Sequence, residues 1–191
     1  MLHCLSYNQC SCVNKSAVFH HPLTGHNYPL KGHFTCLSKF VVYYPLKGHF
    51  TCLSKFVVYT LVCPCGLIYV GETMLQIKTR ICQNRSTIRR SNTKLLVYKH
   101  YVEKGHLDSE LKFMVLEDVR PLRHRGDCEL LLRKREVWWI HKLNTLVPNG
   151  LNKDYDFYVF LEVMFSTVFL FLDYLLCYGK GSIDVATKGL I

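Results

Sequence analysis

The chain has 191 residues, which is enough for one compact domain with extensions, and its formal net charge at pH 7 is +10. Its ten cysteines would suit a secreted, disulfide-bonded protein, but the N-terminus MLHCLSYNQC lacks the charged start and apolar core of a signal peptide. We therefore expect an intracellular chain whose cysteines are reduced thiols or metal ligands.

Residues 1–43 are predicted to form an irregular N-terminal extension that contains cysteine and histidine. Thiolate and imidazole groups are ligands that suit Zn²⁺. Their spacing matches no strong zinc-finger pattern, so a zinc site and a plain extension both stay open. The candidate zinc ligands are Cys4, Cys10, Cys12 and His21.

A segment of 16 residues, YPLKGHFTCLSKFVVY, occurs twice without a change, at 28–43 and 44–59. Structural repeats normally diverge and need several copies, so an identical pair indicates a recent tandem duplication or an error in the gene model. Only the second copy lies at the right distance from the YVG motif that follows. Tyr59, rather than Tyr43, is therefore the tyrosine that we carry forward.

Residues 56–73, FVVYTLVCPCGLIYVGET, predict a β-hairpin. Apolar and β-branched residues favour strands at 56–62 and 67–71, and the segment CPCG between them consists of turn-forming residues. A single residue between the two cysteines makes them a poor pair for one tetrahedral ion. We therefore interpret CPCG as a turn rather than as a metal site.

A third strand and three helices are predicted downstream of the hairpin. Ile77, Ile81 and Ile88 recur at helical spacing and predict a helix at 74–90. The segment KFMVLEDV predicts a strand at 112–117. The other predicted helices cover 93–103 and 127–143, and Asp127 is a suitable N-cap for the second of them.

Five polar residues follow one another in an order that carries a family resemblance. They are Tyr59, Tyr69, Arg80, Glu136 and Asn152. Together with the motifs VVY and YVG, this order resembles the active-site series of GIY-YIG nucleases. The segments CPCGLIYVGET, REVWWI and GLN are similar, more specifically, to the endonuclease domain at the C-terminus of Penelope-like retroelement proteins. The resemblance covers roughly residues 44–157, and we expect that range to be the nuclease-like domain.

The resemblance implies an α+β fold, in which a small three-stranded antiparallel sheet is flanked by helices. It also implies metal-dependent nicking of DNA, with Tyr59 as general base and Tyr69 positioning water or phosphate. Arg80 suits the phosphate, because a guanidinium pairs two oxygens and stays charged. Glu136 offers a carboxylate oxygen to Mg²⁺ or another divalent cation, and Asn152 would brace the site by hydrogen bonds.

Two residues depart from the family pattern and argue for a remnant without activity. Glu72 follows YVG directly, where many relatives carry a cation, and a carboxylate there raises the pKa of a nearby tyrosine. Asn84 stands where relatives often carry a histidine, so the site loses a proton carrier. His100 and His106 also resemble family positions, and we interpret them as structural.

Positive charge is concentrated after the hairpin, since no acidic residue occurs between Glu72 and Glu103. Beside a candidate phosphodiester site, such a run predicts a surface that attracts DNA phosphates without reading sequence. The predicted DNA-binding residues are Lys78, Arg85, Arg89, Arg90, Lys94 and Lys99. In a retroelement the nick primes reverse transcription, so the expected partners are DNA and the reverse transcriptase region of a parent element, which is absent from this chain. The expected localisation is nuclear.

The C-terminal segment 158–191 is an apolar tail that the family does not explain. Residues 157–178 form a mostly apolar stretch long enough to cross a bilayer. Glu162 and Asp173 oppose this, because a carboxylate near the centre of a membrane helix costs roughly 2.5–3.5 kcal/mol. The tail is therefore either a membrane segment or an artefact such as translated flanking sequence. A membrane-associated protein stays open beside a nuclease and a DNA-binding remnant that has lost its chemistry.

Overall fold

The computed structural model describes residues 12–14, 16–30, 33–34, 49–119, 127–154 and 159–161. The chain divides into two compact units, Met1–Tyr155 and Asp156–Ile191. In the second unit the described residues, 159–161, are helical. The strands and helices named in the next paragraph all lie in the first unit.

The predicted α+β architecture is confirmed, and the predicted hairpin, third strand and helices are present with ends that shift by at most three residues. The strands are β1 (Val18–His20), β2 (Asn27–Pro29), β3 (His33–Phe34), β4 (His49–Phe50), β5 (Val57–Val62), β6 (Ile68–Thr73) and β7 (Lys112–Asp118). The helices are α1 (Ile77–Arg89), α2 (Leu96–Glu103) and α3 (Cys128–Leu143), with a short 3-10 turn at Asp108–Glu110.

The central sheet has the strand order β6-β5-β7, and both pairings are antiparallel. Tyr59 in the middle strand lies opposite Gly71 on β6 and Val115 on β7. A bulge between Val58 and Tyr59 shifts the register against β7. Because β6 pairs with β5 alone, its other edge carries backbone groups that must find partners elsewhere.

Alternating side chains of the sheet point into two different apolar layers. On one face Tyr59, Leu61 and Phe113 pack with the apolar residues of α1 and α2. On the other face Val58 and Val70 pack with the apolar residues of α3. The sheet is therefore the middle layer of three, and residues of α1 and α3 reach the site from opposite sides.

The ends of α3 follow from capping chemistry. The Asp127 carboxylate accepts hydrogen bonds from the backbone N–H groups of Glu129 and Leu130 at 3.0 and 3.1 Å. This confirms the predicted N-cap, which satisfies amides that have no partner inside the helix. At the other end Asn144 adopts a left-handed conformation with φ of 50°, a conformation that commonly ends helices.

The described part of the N-terminal extension is more regular than we expected. β1 and β2 form an antiparallel pair, and the side chain of Phe19 in β1 is buried in the apolar layer on the α3 side. Val13 forms a parallel bridge to Phe113, which covers the outer edge of β7. The extension therefore completes the core of the first unit instead of standing apart from it.

The two identical 16-residue copies meet in the structure. His33 and Phe34 of the first copy pair in parallel with His49 and Phe50 of the second. The two residues of each pair are 16 positions apart, which is the length of one copy, so equivalent residues of the two copies face each other. Most of the first copy, including Tyr43, lies outside the described residues.

The predicted apolar tail also lies outside the described residues, apart from 159–161. Among the residues that the structure does describe, no helix is both long enough and apolar enough to cross a membrane. The membrane expectation for residues 157–178 therefore stays a prediction.

The layer between the sheet and α3 gives a direct test of the core. Leu132 is fully buried there at 0% exposure, whereas Leu130 on the same helix is 37% exposed. We expect Leu132→Ala to lower the free energy of unfolding by about 2–5 kcal/mol, because it leaves a cavity. Leu130→Ala should change it by about 0.5 kcal/mol or less. Urea denaturation measures both, and equal losses would contradict the described layer.

Candidate active site at the edge of the sheet

The outer edge of β6 receives partners from the loop after α3. The N–H of Leu151 donates to the carbonyl of Ile68 at 2.8 Å. Asn152 pairs with both backbone groups of Val70, since its Oδ1 accepts from the N–H at 2.9 Å and its Nδ2 donates to the carbonyl at 2.8 Å. The side chain of Asn152 thus takes the place of a neighbouring strand.

Further along the same edge, the backbone of Glu72 receives the two charged residues of the predicted series. Arg80 donates from Nη2 to the Glu72 carbonyl at 3.4 Å. The Glu136 carboxyl lies close enough to the backbone N–H of Glu72 for that N–H to oppose the rise of its pKa. Every second residue of an edge strand points its N–H and C=O groups away from the sheet. On β6, Val70 and Glu72 are two successive residues of this kind. Asn152, Arg80 and Glu136 are therefore held on one strand edge.

The two tyrosines approach each other because Gly71 lies between them. A Cβ at position 71 would lie 2.7 Å from Cε1 of Tyr69 and 3.0 Å from the hydroxyl oxygen of Tyr59. Real Cβ atoms do not make contacts of 2.7 Å with ring carbons. Tyr59 also stacks on Phe113, with ring centroids 4.7 Å apart, so its ring is fixed on both sides. The glycine of YVG is thus required for the position of both rings.

Burial sets the protonation of the two tyrosines. Burial is the largest effect on the pKa of Tyr59 and raises it well above its usual range, and Arg80 opposes the shift. The pKa of Tyr69 is raised first by burial and then by Tyr59 and Glu136. Both side chains are therefore neutral phenols at pH 7 in the described state, and Tyr59 can act as a base only after its proton has left.

Two carboxylates converge at the end of β6. The pKa of Glu136 is raised to about 8, first by burial and then by the neighbouring Glu72 carboxylate, while Arg133 and Arg80 oppose the rise. Burial also raises the pKa of Glu72, and Oε2 of this residue is buried without a hydrogen-bond partner. A divalent cation would satisfy that oxygen and offset the repulsion between the two carboxylates. The residues therefore suit Mg²⁺, which carboxylate oxygens hold.

Arg80 and Asn84 present unused donors on one face of α1, one turn apart. Arg80 Nε is buried without a hydrogen-bond partner. Asn84 is 1% exposed, and its Oδ1 accepts a hydrogen bond of 2.8 Å from the hydroxyl of Tyr98, while its Nδ2 has no partner. Tyr98 has no sequence signal of a polar role, because the hydrophobic pattern of α2 already explains a buried tyrosine at this position.

The loop that carries Asn152 is held by contacts within itself. Asn152 Oδ1 also accepts a hydrogen bond of 2.9 Å from the hydroxyl of Thr145, and the backbone N–H of Asn152 donates to the Thr145 carbonyl at 2.9 Å. Gly150 allows this turn, because a Cβ there would lie 2.3 Å from the Thr145 carbonyl oxygen. Asn152 is thus hydrogen-bonded both to β6 and to its own loop.

The predicted DNA-binding residues differ in how exposed they are and in whether an acidic side chain lies next to them. Arg85 donates from Nε to Asp108 at 2.9 Å and its side chain is 20% exposed, while Arg89 is 64% exposed at 3.5 Å from the same carboxylate. Lys99 pairs with Glu103 at 3.6 Å. Exposed cations are therefore concentrated at the end of α1 and in the loop after it. The remaining predicted residues are Arg90 and Lys94, which are exposed, and Lys78, which is half-buried.

The zinc set predicted in the N-terminal extension is only partly described. Cys4 and Cys10 lie outside the described residues, and Cys12 is buried. Both ring nitrogens of His21 have partners. Nδ1 accepts from the N–H groups of Leu23 and Thr24 at 3.3 and 3.2 Å, and Nε2 donates to the carbonyl of Leu143 at 3.2 Å. His21 therefore caps its own turn and ties the extension to α3.

A different group of residues could hold a metal ion, and the sequence interpretation missed it. The ligand atoms of Cys63, Cys65, His100 and His106 all lie within 4.8 Å of one another. Cys65 Sγ is 3.2 Å from Cys63 Sγ and 3.1 Å from His100 Nε2. The cysteine spacing alone argued against a metal site, and the structural role given to the histidines did not include ligation. The fold unites the pairs because α2 packs over the turn between β5 and β6.

The four side chains of this Cys/His cluster would be more stable with a bound metal ion than without one. Nε2 of His106 is buried without a hydrogen-bond partner. Burial lowers the pKa of His100, which keeps its ring neutral as a ligand requires. Burial raises the pKa of Cys63 to about 12, so without a metal its thiol stays protonated. A bound cation would remove that proton and give the orphaned nitrogen a partner.

Comparison with known proteins identifies no relative of this chain. No protein-family model, no curated protein and no solved structure matches it.

Gly71→Ala tests whether the tyrosine pair depends on the missing Cβ. We expect the free energy of unfolding to fall by about 1–3 kcal/mol, because the methyl group would displace a tyrosine ring. In a Tyr69→Ala background the same substitution should be milder, since the ring carbon nearest to the new methyl group is gone. Urea denaturation of the four proteins measures this coupling, and equal losses in both backgrounds would contradict it.

Proposed function

We propose that the first unit is a metal-dependent endonuclease of the GIY-YIG type that nicks DNA by phosphodiester hydrolysis. The observation that carries the proposal is the edge of β6. Arg80, Glu136 and Asn152 are far apart in sequence, yet all three meet the short stretch Val70–Glu72 that follows Tyr69. Arg80 and Asn152 are hydrogen-bonded to it, and the backbone of Glu72 acts on the pKa of Glu136. Residues chosen from sequence order alone thus converge on one place in the fold.

The residues of the site divide the reaction among them. Tyr59, once deprotonated, accepts a proton from the water whose oxygen bonds to phosphorus. Arg80 pairs with the phosphate through donors such as the unpartnered Nε, and the electrons of the breaking P–O bond leave with the 3′ oxygen. Asn152 holds the backbone beside Tyr69. Mg²⁺ held by Glu136 would supply charge neutralisation at the phosphate and the leaving oxygen.

The basic surface supports DNA as the substrate class. Three exposed cations lie close together in the chain. Arg89 ends α1, the helix that also carries Arg80, and Arg90 and Lys94 lie in the loop that follows it. Such charges give salt-dependent attraction to phosphates without base recognition. A helix that supplies both the phosphate-binding arginine and the attracting surface would lead the backbone of DNA towards the site.

A DNA-binding remnant without catalysis is the second candidate, and Glu72 favours it. Its carboxylate lies where repulsion disfavours ionisation of Glu136, and the two pKa values are both raised. A remnant would bind DNA equally well with and without a divalent cation. Membrane association through residues 157–178 finds no support among the described residues.

Nicking of supercoiled plasmid by the full chain in Mg²⁺ tests the nuclease. We expect nicking to fall by at least about a hundredfold in Glu136→Gln, because the substitution removes the carboxylate that holds the metal. Glu129→Gln is the matched control on the same helix, since Glu129 is an exposed residue paired with Arg133 at 2.7 Å. It should change the rate by no more than about twofold. Folded wild-type protein that binds DNA and does not nick it would refute catalysis and leave the remnant.

We further propose that the Cys/His cluster holds a structural Zn²⁺. Two thiolates and two imidazoles form a donor set that Zn²⁺ favours in closed tetrahedral sites. The ion would tie the turn after β5 to α2 and to the segment that follows α2. Because β5 carries Tyr59 and α2 carries Tyr98, such a clip would stabilise the layer in which both tyrosines are buried.

Metal analysis of the purified full chain tests the zinc proposal. We expect about one Zn²⁺ per chain, and Cys65→Ser should lose it and lower Tm, because ligand binding to the folded state stabilises it. Cys82→Ser is the control, since Cys82 is exposed on α1 away from the cluster. A chain that contains no zinc, and whose Tm is the same in Cys65→Ser and Cys82→Ser, would overturn the proposal.

A further inference from the structure

A lysine side chain near the end of α3 lies in a corner of aromatic rings. The Nζ atom of Lys142 is 4.2 Å from the ring centroid of Trp138 and 5.0 Å from that of Trp139. The two indole rings stand at 86° to each other, with centroids 4.9 Å apart. Tyr28 of β2 adds a third ring, whose centroid is 5.7 Å from the same nitrogen. The ammonium group therefore faces three ring walls, which we call the aromatic cage.

Contacts that do not involve Lys142 fix the walls of the aromatic cage. The indole N–H of Trp139 donates to Oε2 of Glu117 at 2.9 Å, and Trp139 is 5% exposed. Arg135 donates to the same oxygen from Nη2 at 2.6 Å, and its guanidinium carbon lies 4.5 Å from the ring centroid of Trp138. We therefore expect the cage to keep its shape when the lysine leaves it.

Lys142 is an occupant that another cation can replace. The residue is exposed, and the ammonium group of a lysine is a compact charge that water hydrates strongly. A trimethylammonium group carries no N–H, so it loses less hydration on entering a corner of rings. Aromatic cages recognise quaternary ammonium ligands by the attraction between the cation and the ring faces. An external trimethylammonium group would therefore gain more from the cage than Lys142 does.

The charges beside the cage favour a ligand that also carries an anion. Lys134 and Arg135 lie one turn before Trp138 on α3, and Lys142 lies one turn after it. The acidic side chain in contact with this group, Glu117, already pairs with Arg135 at 2.6 Å. A trimethyllysine in a basic peptide would meet excess positive charge there, whereas a phosphate next to the ammonium group would meet opposite charge.

We propose that Tyr28, Trp138 and Trp139 form a binding site for phosphocholine, either free or as a lipid headgroup. The trimethylammonium group replaces the ammonium group of Lys142 in the cage, and the phosphate lies beside the cations of α3. Binding exchanges one cation for another, and no covalent bond forms or breaks. The site goes beyond the proposed nuclease, because its three rings are not among the residues at the edge of β6. It can be measured in a chain that does not nick DNA.

Tryptophan fluorescence of the full chain tests the site, because the two tryptophans of the chain are both walls of the cage. We expect phosphocholine to change the emission in a saturable way. In 3,3-dimethylbutyl phosphate a carbon atom replaces the nitrogen of phosphocholine, so the shape is kept and the positive charge is lost. This analogue should bind about 3- to 30-fold more weakly. Equal affinities would overturn the proposal.

Two variants and a control locate the ligand. Tyr28→Leu removes one wall without removing a fluorophore, and it should weaken phosphocholine binding about 2- to 10-fold. Lys142→Met removes the competing ammonium group, so tetramethylammonium, which has no phosphate, should bind about 2- to 5-fold more tightly. Leu130→Ala, at an exposed position of α3, should leave both affinities unchanged. Should Tyr28→Leu fail to fold, Lys142→Met decides alone.

The remaining outcomes separate the possible sources of the ligand. Sedimentation with phosphatidylcholine vesicles that Tyr28→Leu reduces would support the site and assign it to a lipid headgroup. Binding of soluble phosphocholine without such sedimentation would support the site and assign it to the free compound. Tighter binding of a trimethyllysine peptide would overturn the role of the phosphate. If neither phosphocholine nor tetramethylammonium changes the emission of wild type and of Lys142→Met, the proposal is overturned, and Lys142 only ties β2 to α3.

Discussion

The outer edge of β6 is the constraint on which the rest of the site depends. A strand edge presents N–H and C=O groups that must be satisfied, and here no further strand does so among the described residues. The Asn152 side chain satisfies both backbone groups of Val70, and Arg80 donates to the carbonyl of Glu72. Glu136 lies beside the same residue, whose backbone acts on its pKa. Because the backbone of a sheet is rigid, it fixes the positions of the side chains that bind to its edge.

The second determinant is the dry interior that surrounds these side chains. Burial keeps both tyrosines as phenols and raises the pKa of Glu136 to about 8. The resting site therefore holds too little positive charge for its carboxylates and for a phenolate. In the proposed reaction a divalent cation and Arg80 would supply the positive charge that is lacking, which would join metal, phosphate and base in one site.

Patterns among neighbouring residues predicted the helices and strands of the fold. The arrangement of the candidate sites depends on contacts between distant segments, which such patterns do not show. The isoleucine spacing of α1 and the Asp127 cap depend only on neighbours in sequence, so both could be predicted. The order of the five residues carried a family resemblance, but it did not predict that hydrogen bonds to the edge of β6 would hold Arg80 and Asn152. The Cys/His cluster could not be predicted from cysteine spacing, because its two halves meet only when α2 packs on the hairpin turn. Tyr98 was hidden for a similar reason, since a buried tyrosine satisfies the hydrophobic pattern of a helix.

The proposed nuclease holds one divalent cation at Glu136, near the two tyrosines that flank Gly71. Paramagnetic broadening by Mn²⁺ of tyrosine ring-carbon signals, assigned with Tyr→Phe variants of the full chain, measures this directly. We expect the signals of Tyr59 and Tyr69 to broaden before that of Tyr28, Mg²⁺ to reverse the effect, and Glu136→Gln to abolish it. Broadening that persists in Glu136→Gln, or that spares Tyr59 and Tyr69, would contradict a single metal site at the edge of β6.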